Sequence, residues 1–434
     1  MQSLRQFYEM LDQSQWWPTS MLAQWQQRML KPLLNHARLT SPFYRYRLKR
    51  LFRPDGSIDW ERWTEIPILT RADVSQHSAN LLSQTPVAQH GPFSDVSTSG
   101  STGHPVTVRT TRWLNEMSLA CSWRGHRWAG LDWSRPLLSR GNSLPGRAIG
   151  EALGPWGPPW LPEAARGRHL HTNYSNPYRS DLEVIQREAV YAYAATVNQL
   201  EIFFDDPTLP DLPDLKVVMV RGGAVSDYLR AQVARVGAAG IVEAYSSKEG
   251  GALARPCPEG HGFHVNAEAV LLEIVDAAGQ PVAPGETGRV VITPFGSTAM
   301  PLIRYDQGDV AIAGGPCDCG RHLPLIKRLE GRTNAVFEHP DGRRSREMMP
   351  IEGRKLLGAG RWQVRQVGPT DFEVDYIRHD WGTAPDLAAF TALFRTVFFD
   401  DATVTVREVQ DLQLGPTGKY REYENRWHRD GATQ

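Results

Sequence analysis

A short run of hydroxyl side chains and glycines, between Val96 and Pro105, carries the residue types best suited to chemistry in this sequence. Gly100 and Gly103 permit a positive φ and close approach of the backbone, so that consecutive N–H groups can point at one anion. The hydroxyl side chains of the run are those of Ser97, Thr98, Ser99, Ser101 and Thr102. We call residues 98–105 the Ser/Gly loop and predict that it binds phosphate, with an ordinary flexible turn as the alternative.

The Ser/Gly loop lacks the mark of a Walker loop, in which a Gly-Lys-Ser/Thr sequence opens a helix. Val106 and Val108 alternate with polar residues instead, as they do in a strand. The loop is therefore predicted to join the two strands of a hairpin over its ligand.

The length and charge of the chain limit what else it can be. Its 434 residues exceed one compact core and indicate two or three domains. The 48 basic and 48 acidic side chains balance, so no overall field favours nucleic acid or an anionic membrane as a partner. The first residues lack an apolar signal core, and no run approaches the ~20 apolar residues of a membrane span. We therefore expect a soluble, cytoplasmic protein with no nucleic-acid or membrane partner.

The spacing of apolar residues predicts the elements that position the loop. Helical spacing predicts an amphipathic helix over 21–39, kinked or broken at Pro32, and another helix over 180–204. A buried strand over 216–220, a glycine turn and a helix lead to a strand over 241–245. This order implies a parallel pair joined by a crossover, with ligands at the C-terminal ends of the strands.

Tight turns and alternation predict antiparallel strands in the second half of the chain. Residues 271–275 and 289–293 alternate on either side of a Pro/Gly turn, which indicates an antiparallel pair. A separate α+β unit of roughly a hundred residues is predicted after Arg332. Its elements are strands over 363–367 and 372–377, a helix over 387–399 and a strand over 403–406.

The segment from Thr98 to Pro105 resembles the signature loop of the acyl-adenylate-forming superfamily, and the flanking sequence is most similar to its phenylacetate-CoA ligase and capsule-biosynthesis branch. The similarity extends from about Met29 to the C-terminus, with the motifs in the expected order. It implies an α/β fold whose large, multi-layer N-terminal domain over 1–333 combines parallel-rich sheets with a small β-barrel subdomain at about 255–330. It also implies a mobile α+β C-terminal lid domain over 334–434, and it allows a homodimer.

The resemblance implies an enzyme that uses ATP and Mg²⁺ to activate a small carboxylic acid as acyl-AMP and then transfers the acyl group. An aryl or arylacetic acid and coenzyme A are the expected substrate and acceptor. The alternatives are an amine, alcohol or carrier-protein acceptor, an unusual small oxyacid as substrate, or a homologue that binds nucleotide without catalysis. Arg343, Arg344 and Arg346 lie beside a predicted Pro-Asp-Gly turn, where they either receive an acidic acceptor or are simply solvated.

The resemblance also assigns residues to the site. Glu249 is expected to bind Mg²⁺, which prefers oxygen ligands, and Asp309 to accept from the ribose hydroxyls. Lys419, on the C-terminal domain, is expected to bridge the acid carboxylate and the α-phosphate, and Thr102 completes the catalytic set with Glu249. ATP binding is assigned to Thr98, Ser99, Gly100, Ser101, Thr102, Gly103, Gly222, Gly223, Ala224, Tyr245, Ser246, Asp309, Arg328 and Arg332.

The segment from Tyr245 to Glu249 departs from the family pattern, with Ser246 in place of glycine and Lys248 in place of a hydroxyl residue. Lys248 either contacts phosphate or the acid carboxylate, weakens Mg²⁺ binding by repulsion, or is an ordinary exposed lysine. Asn334 takes the interdomain hinge position where aspartate is usual. The acid pocket is assigned to Tyr193, Ser247 and Lys248, with Trp123 and Trp128 as further candidates for its walls.

Three of the four cysteines form a second chemical group with a histidine. Its members are Cys257, His261, Cys317 and Cys319. Three thiolates and one imidazole suit a closed, tetrahedral zinc ion with a structural role. His264 competes with His261 for the fourth position, and free thiols are the alternative because the spacing is not that of a standard zinc finger. The remaining Cys121 is expected in the core.

Overall fold

The computed structural model of the chain forms two compact units. The described residues are 4–97, 106–141, 144, 146–174, 176–223, 225–238, 240–332, 337–345, 349–378, 384–410, 412 and 422–427. The larger unit is drawn from Met1–Ser97, Thr107–Phe204 and Thr208–Glu330, and the smaller unit mainly from Gly331–Gln434. Within the described ranges, no helix combines the length and the apolarity that crossing a bilayer requires.

Helices make up most of the N-terminal part of the larger unit. They are α1 (Leu4–Ser14), α2 (Thr19–Thr40), α3 (Tyr44–Arg47), α4 (Arg71–Gln76), α5 (Ser78–Leu81) and α6 (Arg112–Trp128). α2 confirms the helix predicted over 21–39, and it continues past Pro32. α4 begins with a capping box, in which the side chains of Thr70 and Asp73 each accept from the other's backbone N–H.

The hairpin predicted around the Ser/Gly loop is confirmed. β1 (Phe93–Ser97) and β2 (Thr107–Thr111) pair antiparallel, with Ser97 opposite Thr107. The loop itself, residues 98–105, lies outside the described residues. The residues on either side of it are therefore held next to each other across the hairpin.

A six-stranded sheet in the larger unit has the order β4-β5-β3-β6-β7-β8. Its strands are β3 (Leu137–Gly141), β4 (Glu151–Pro155), β5 (Arg168–Asn173), β6 (Ala192–Thr196), β7 (Val217–Arg221) and β8 (Gly240–Glu243). All neighbours pair in parallel except β4 and β5. The intervening helices are α7 (Tyr178–Arg187), α8 (Val197–Asp205) and α9 (Asp227–Arg235). The β7–α9–β8 unit confirms the predicted crossover.

The prediction of a single helix over 180–204 is wrong. The segment forms two helices, α7 and α8, which are separated by strand β6. β6 lies between β3 and β7, and its first four residues are buried. Tyr193 packs into the apolar core on one face of the sheet, whereas Ala192 and Ala194 pack on the other. Periodicity cannot distinguish such a short, doubly buried strand from part of a buried helix.

The rest of the larger unit is a seven-stranded sheet in the order β12-β13-β14-β15-β11-β10-β9. Its strands are β9 (Tyr245–Ser247), β10 (Gly251–Pro256), β11 (Phe263–Val265), β12 (Val270–Val275), β13 (Thr287–Pro294), β14 (Tyr305–Ala313) and β15 (Leu325–Arg332). β12 and β13 pair antiparallel, as their alternation predicts. This sheet occupies the region where a small barrel is expected.

The smaller unit has its own sheet, in the order β20-β19-β18-β21. Its strands and helices are α10 (Ile351–Leu357), β18 (Ala359–Gln366), β19 (Asp371–Arg378), α11 (Leu387–Val397), β20 (Thr403–Glu408) and β21 (Tyr423–Asn425), preceded by the hairpin β16 (Phe337–Glu338) and β17 (Arg344–Ser345). The predicted strand–strand–helix–strand order is confirmed. The core of this unit is rich in aromatic side chains, among them Trp362, Phe372 and Phe394.

Candidate active site

Tyr245 and Asp309 bring two of the predicted nucleotide motifs together. Tyr245 begins β9 and Asp309 lies within β14, and the tyrosine hydroxyl donates to Asp309 Oδ2 at 2.8 Å. The two residues keep only 9% and 8% of their surface exposed, so the hydrogen bond forms in a largely dry setting, where a bond to a carboxylate is strong. The contact fixes the orientation of the carboxylate that the sequence assigns to ribose.

Glu249 lies in the tight turn between β9 and β10. Its side chain is almost fully buried and makes no hydrogen bond or ion pair with another residue in the described part of the chain. Ser247 Oγ accepts from the backbone N–H of Gly250 at 3.0 Å and closes the turn. A Cβ added to Gly250 would lie 2.6 Å from Ile292 Cδ1, so the turn packs closely against β13. A carboxylate held on such a turn suits a hard divalent cation.

Lys248 extends from the same turn to the end of β1. Its Nζ donates to the backbone oxygen of Ser97 at 2.6 Å. Ser97 immediately precedes the Ser/Gly loop, so the lysine connects the Glu249 turn to the start of the predicted phosphate site. An ammonium group in this position is suited to a nearby anion.

Gly222 and Gly223 form the turn that leaves the C-terminal end of β7. Gly222 has φ +74°, a conformation that glycine adopts without strain. A Cβ on Gly223 would lie 2.3 Å from Val197 Cγ1, at the start of α8. The turn therefore needs glycine at both positions and presents bare backbone at the end of a parallel strand.

Several predicted site residues have local structural partners instead. Arg328 is exposed and pairs with Glu330 Oε1, with Nη2 at 2.5 Å. Tyr193 is fully buried, and its hydroxyl donates to Asp181 Oδ2 at 2.5 Å. Tyr193 also packs against Phe203 in the apolar core.

The two candidate wall tryptophans also have packing partners. Trp123 packs against Tyr8 and Trp160. Trp128 donates its Nε1–H to Gln15 Oε1 at 3.0 Å. Predicted residues whose side chains lie outside the described part are Thr98, Ser99, Gly100, Ser101, Thr102, Gly103, Ala224, Arg332 and Lys419, together with the hinge candidate Asn334.

The sequence reading missed a polar group on the six-stranded sheet. The hydroxyl of Ser139 on β3 lies within hydrogen-bonding distance of both His169 and His171 on β5. Arg221 lies at the end of β7, next to the glycine turn. The available signal was two histidines separated by one residue, a spacing that places both side chains on one face when the segment is a strand.

Four side chains converge in a group that fits a metal ion. The sulfur atoms of Cys257, Cys317 and Cys319 and a ring nitrogen of His264 all lie within 4.8 Å of one another. The Cys257 and Cys317 sulfurs are 3.8 Å apart, and His264 Nε2 is 3.2 Å from Cys319 Sγ. Tetrahedral zinc with Zn–S bonds of about 2.3 Å places its sulfur ligands about 3.8 Å apart, so the donor set fits this ion.

His264 and not His261 belongs to this four-residue group. His261 Nδ1 lies 3.2 Å from Cys317 Sγ, but the common set is completed by His264, which is buried. His264 Nδ1 also lies 3.4 Å from the backbone oxygen of Leu323, an arrangement that leaves Nε2 facing the sulfurs. Of the two histidines that the sequence left open, the geometry therefore favours His264.

The loop that carries Cys317 and Cys319 is attached to the N-terminal helices. Arg321 donates to Gln15 Oε1 at 2.9 Å and lies over the rings of Trp16 and Trp128 at 4.8 Å each. The backbone N–H of His322 donates to the backbone oxygen of Gln15 at 3.1 Å. The candidate metal group therefore lies beside the junction of α1 and α2.

Known proteins are similar to this chain in sequence and in fold. The chain is 26% identical over 337 residues to a phenylacetate-coenzyme A ligase of Thermus thermophilus, a match that covers 74% of this chain and 72% of the relative. No protein-family model matches the chain.

Solved structures of 2-hydroxyisobutyryl-CoA ligase are similar in fold. In its postadenylation state with 2-HIB-AMP, that ligase has a TM-score of 0.68 and 17% identity, over 92% of this chain and 88% of its own. In its thioesterification state with 2-HIB-AMP and CoA, the TM-score is 0.61 at 18% identity, over 94% of this chain and 91% of its own. Similarity at this level of identity establishes a shared mixed α/β fold.

Proposed function

We propose that the chain belongs to the acyl-adenylate-forming superfamily of AMP-forming ligases, and that it activates a carboxylic acid with ATP and Mg²⁺ and transfers the acyl group to coenzyme A. In the first step the acid carboxylate attacks the α-phosphorus of ATP, forming acyl-AMP and releasing pyrophosphate. In the second step a thiolate attacks the acyl carbon, and AMP leaves. An aryl or arylacetic acid is the expected substrate, in keeping with the name of the Thermus relative.

The observation that carries this proposal is the contact between Tyr245 and Asp309. Two segments that are 64 residues apart in sequence meet through a short hydrogen bond on a shared, nearly buried surface. Asp309 then offers fixed carboxylate oxygens to the two ribose hydroxyls. The ring of Tyr245 provides an apolar surface beside the sugar, where adenine can pack.

The Glu249 turn provides the ion and phosphate side of the same arrangement. We assign Glu249 to Mg²⁺, because a carboxylate with no cation partner among the described residues suits an oxygen-preferring ion. The contact of Lys248 with Ser97 holds its ammonium at the residue that precedes the Ser/Gly loop in the sequence. Positive charge that is held in place before the reaction stabilises the negative charge that develops on the phosphate oxygens, and it thereby lowers the barrier to attack on the α-phosphorus.

Residues outside the described ranges retain the roles that the resemblance assigns to them. Thr98 to Gly103 bind the triphosphate, and Thr102 and Lys419 act in the adenylation step. Lys419 lies in the C-terminal segment after Asn334, so the proposal includes a domain that carries the lysine to and from the acid.

We propose that the Cys257, His264, Cys317 and Cys319 group holds structural zinc. The four protein atoms would occupy all four positions of a tetrahedral ion, so such an ion would have no open position for substrate. Its effect would be to fix the loop that Arg321 and His322 attach to the N-terminal helices.

A pyrophosphate-exchange screen tests the adenylation step directly. The purified chain is incubated with ATP, Mg²⁺, labelled pyrophosphate and a panel of aromatic, arylacetic, aliphatic and amino acids. Exchange with at least one acid is expected, and mass spectrometry with and without coenzyme A identifies the acceptor. Nucleotide binding without exchange for any acid would instead favour a non-catalytic homologue.

A further inference from the structure

One face of the six-stranded sheet combines apolar and polar side chains. Near the N-terminal ends of the strands, this face is apolar, with Leu137, Ala192 and Val217 in one row. In the next row, Ser139 is the polar member, and it is followed on β6, β7 and β8 by the apolar Ala194, Met219 and Val242. Beyond this row Arg221 ends β7, at the end of the parallel strands, where ligands bind in sheets of this kind.

Ser139 lies close to both histidines of β5 on this face. Its hydroxyl lies 2.8 Å from His169 Nε2 and 3.4 Å from His171 Nδ1. Ser139 and His171 are more than nine-tenths buried, and Ser139 pairs with His171 in the register of β3 and β5. Burial, followed by electrostatic interaction with His171 and Arg221, lowers the pKa of His169 below its usual value.

Arg221 supplies a cation to the same face. Two residues before it, Met219 packs with the apolar part of the face, and the alternation of the strand places Arg221 on that side. Its Nη2 donates to the backbone oxygens of Arg140 and Ala194, at 2.9 and 3.3 Å. The guanidinium thus lies across the ends of β3 and β6, directly before the glycine turn.

On the opposite face of the sheet, Arg140 provides a comparison with Arg221, because its guanidinium has a carboxylate partner within the protein. Arg140 is buried, and its Nη1 donates to Asp181 Oδ2 at 2.7 Å, with Tyr193 on the same oxygen. Arg221 has no carboxylate within ion-pair distance in the described ranges, and a large part of its surface is exposed. The acid nearest in register to His171 is Glu151, whose carboxylate is occupied by Arg147 and the N–H of Ala148.

We propose that Ser139, His169, His171 and Arg221 form a subsite for a second carboxylate on the acid that the enzyme activates. The inference rests on the proposed function and deepens it by naming the substrate class, a dicarboxylic acid or an aromatic acid with an additional carboxylate. The guanidinium offers paired donors that match a carboxylate, and the hydroxyl and the imidazoles add further hydrogen bonds.

The test compares matched acids in pyrophosphate exchange. Phenylacetic acid is compared with 3- and 4-carboxyphenylacetic acid, and pentanoic acid with pentanedioic acid, in the wild type and in Arg221→Met and Arg221→Lys. We expect wild-type kcat/KM to favour the carboxylated member of a pair by at least about tenfold. Arg221→Met should reduce kcat/KM for the carboxylated acid by about 10²-fold, and it should change kcat/KM for the plain acid by less than about threefold. In Arg221→Lys, kcat/KM for the carboxylated acid should recover in part.

The controls separate this inference from its premise. Arg230→Met removes an exposed arginine that pairs with Glu243, and it should leave the ratio between the two acids unchanged. If a thermal melt shows no folded state for Arg221→Met, His171→Asn is used in its place to compare kcat/KM for the carboxylated and the plain acid. Exchange with plain acids only, or an equal effect of Arg221→Met on both members of each pair, would overturn the subsite and leave the ligase proposal standing. Absence of exchange with every acid would overturn both.

Discussion

The hydroxyl of Tyr245 lies 2.8 Å from Asp309 Oδ2, although their strands stand four positions apart in the seven-stranded sheet. Neighbouring strands are about 4.8 Å apart, so a flat sheet would separate these strands by about 19 Å. The two side chains together cannot span that distance. The sheet must therefore curl strongly, and this curvature brings the end of β9 onto β14.

Loss of the Tyr245 hydroxyl is expected to weaken ATP binding. A hydrogen bond to a charged group contributes about 1.5–3 kcal/mol, so Tyr245→Phe should raise KM for ATP by about 10- to 10²-fold in the exchange assay. Asp309→Asn should raise KM at least as much, because it removes charge from the carboxylate that accepts from ribose. The matched control is Tyr376→Phe, which removes a phenol from the Glu408 carboxylate in the smaller unit. An unchanged KM in Tyr245→Phe would refute the assignment.

Lys248→Met distinguishes the roles left open for this lysine. Loss of an ammonium group near the Ser/Gly loop should raise KM for ATP by about tenfold, with little change in melting temperature because the residue is exposed. The control is Lys327→Met, which removes an exposed lysine on β15. A lower Mg²⁺ requirement in Lys248→Met would instead indicate that the lysine repels the ion.

Metal analysis of single variants tests the zinc group. We expect about one zinc ion per purified chain. His264→Ala and Cys319→Ser should bind zinc at least about 10²-fold more weakly, whereas His261→Ala should retain it. Loss of zinc in His261→Ala with retention in His264→Ala would reverse the assignment. Absence of zinc from the wild type under metal-replete expression would favour free thiols.

The smaller unit contains a histidine whose protonation should stabilise the fold. Partial burial lowers the pKa of His339, but hydrogen bonds to Asp401 and Asp341 outweigh it and raise the pKa above 6.5. A raised folded-state pKa means that the stabilisation is complete below the unfolded value and is lost as pH rises through the folded value.

His339→Gln removes this titration and provides the measurement. The difference in free energy of unfolding between wild type and variant should be largest near about pH 6 and should shrink toward about pH 9. The control is His322→Gln, in the larger unit, which should give no such trend in the unfolding of the smaller unit. A difference that grows with pH would contradict the assigned sign.

Residues close in sequence were predicted well, because their structure depends on local spacing. The helix over 21–39, the hairpin around the Ser/Gly loop and the β7–α9–β8 crossover all appear where periodicity places them. The helix expected over 180–204 failed because β6 is buried on both faces and has no alternation to reveal it. Burial by neighbouring strands is a tertiary property that a single sequence does not display.

In the candidate site, too, local sequence indicates individual residues, whereas the contacts between them depend on the tertiary fold. The motif order led to Tyr245 and Asp309, but their contact depends on how the sheet curls. His261 and His264 are equivalent by spacing, and only the fold brings His264 to the three sulfurs. Ser139 and Arg221 went unnoticed because they lie on different strands and share a face only through the strand register.

Trp128 lies edge-on to His264, with ring centres 5.9 Å apart, and directly under the guanidinium of Arg321. Indole emission is quenched or shifted by changes in adjacent charge and imidazole orientation. Filling or emptying the Cys₃His group should therefore alter the fluorescence of this tryptophan. If this group holds zinc as proposed, Trp128 provides an intrinsic optical probe of metal occupancy, which can be read during titration with chelator without any added label.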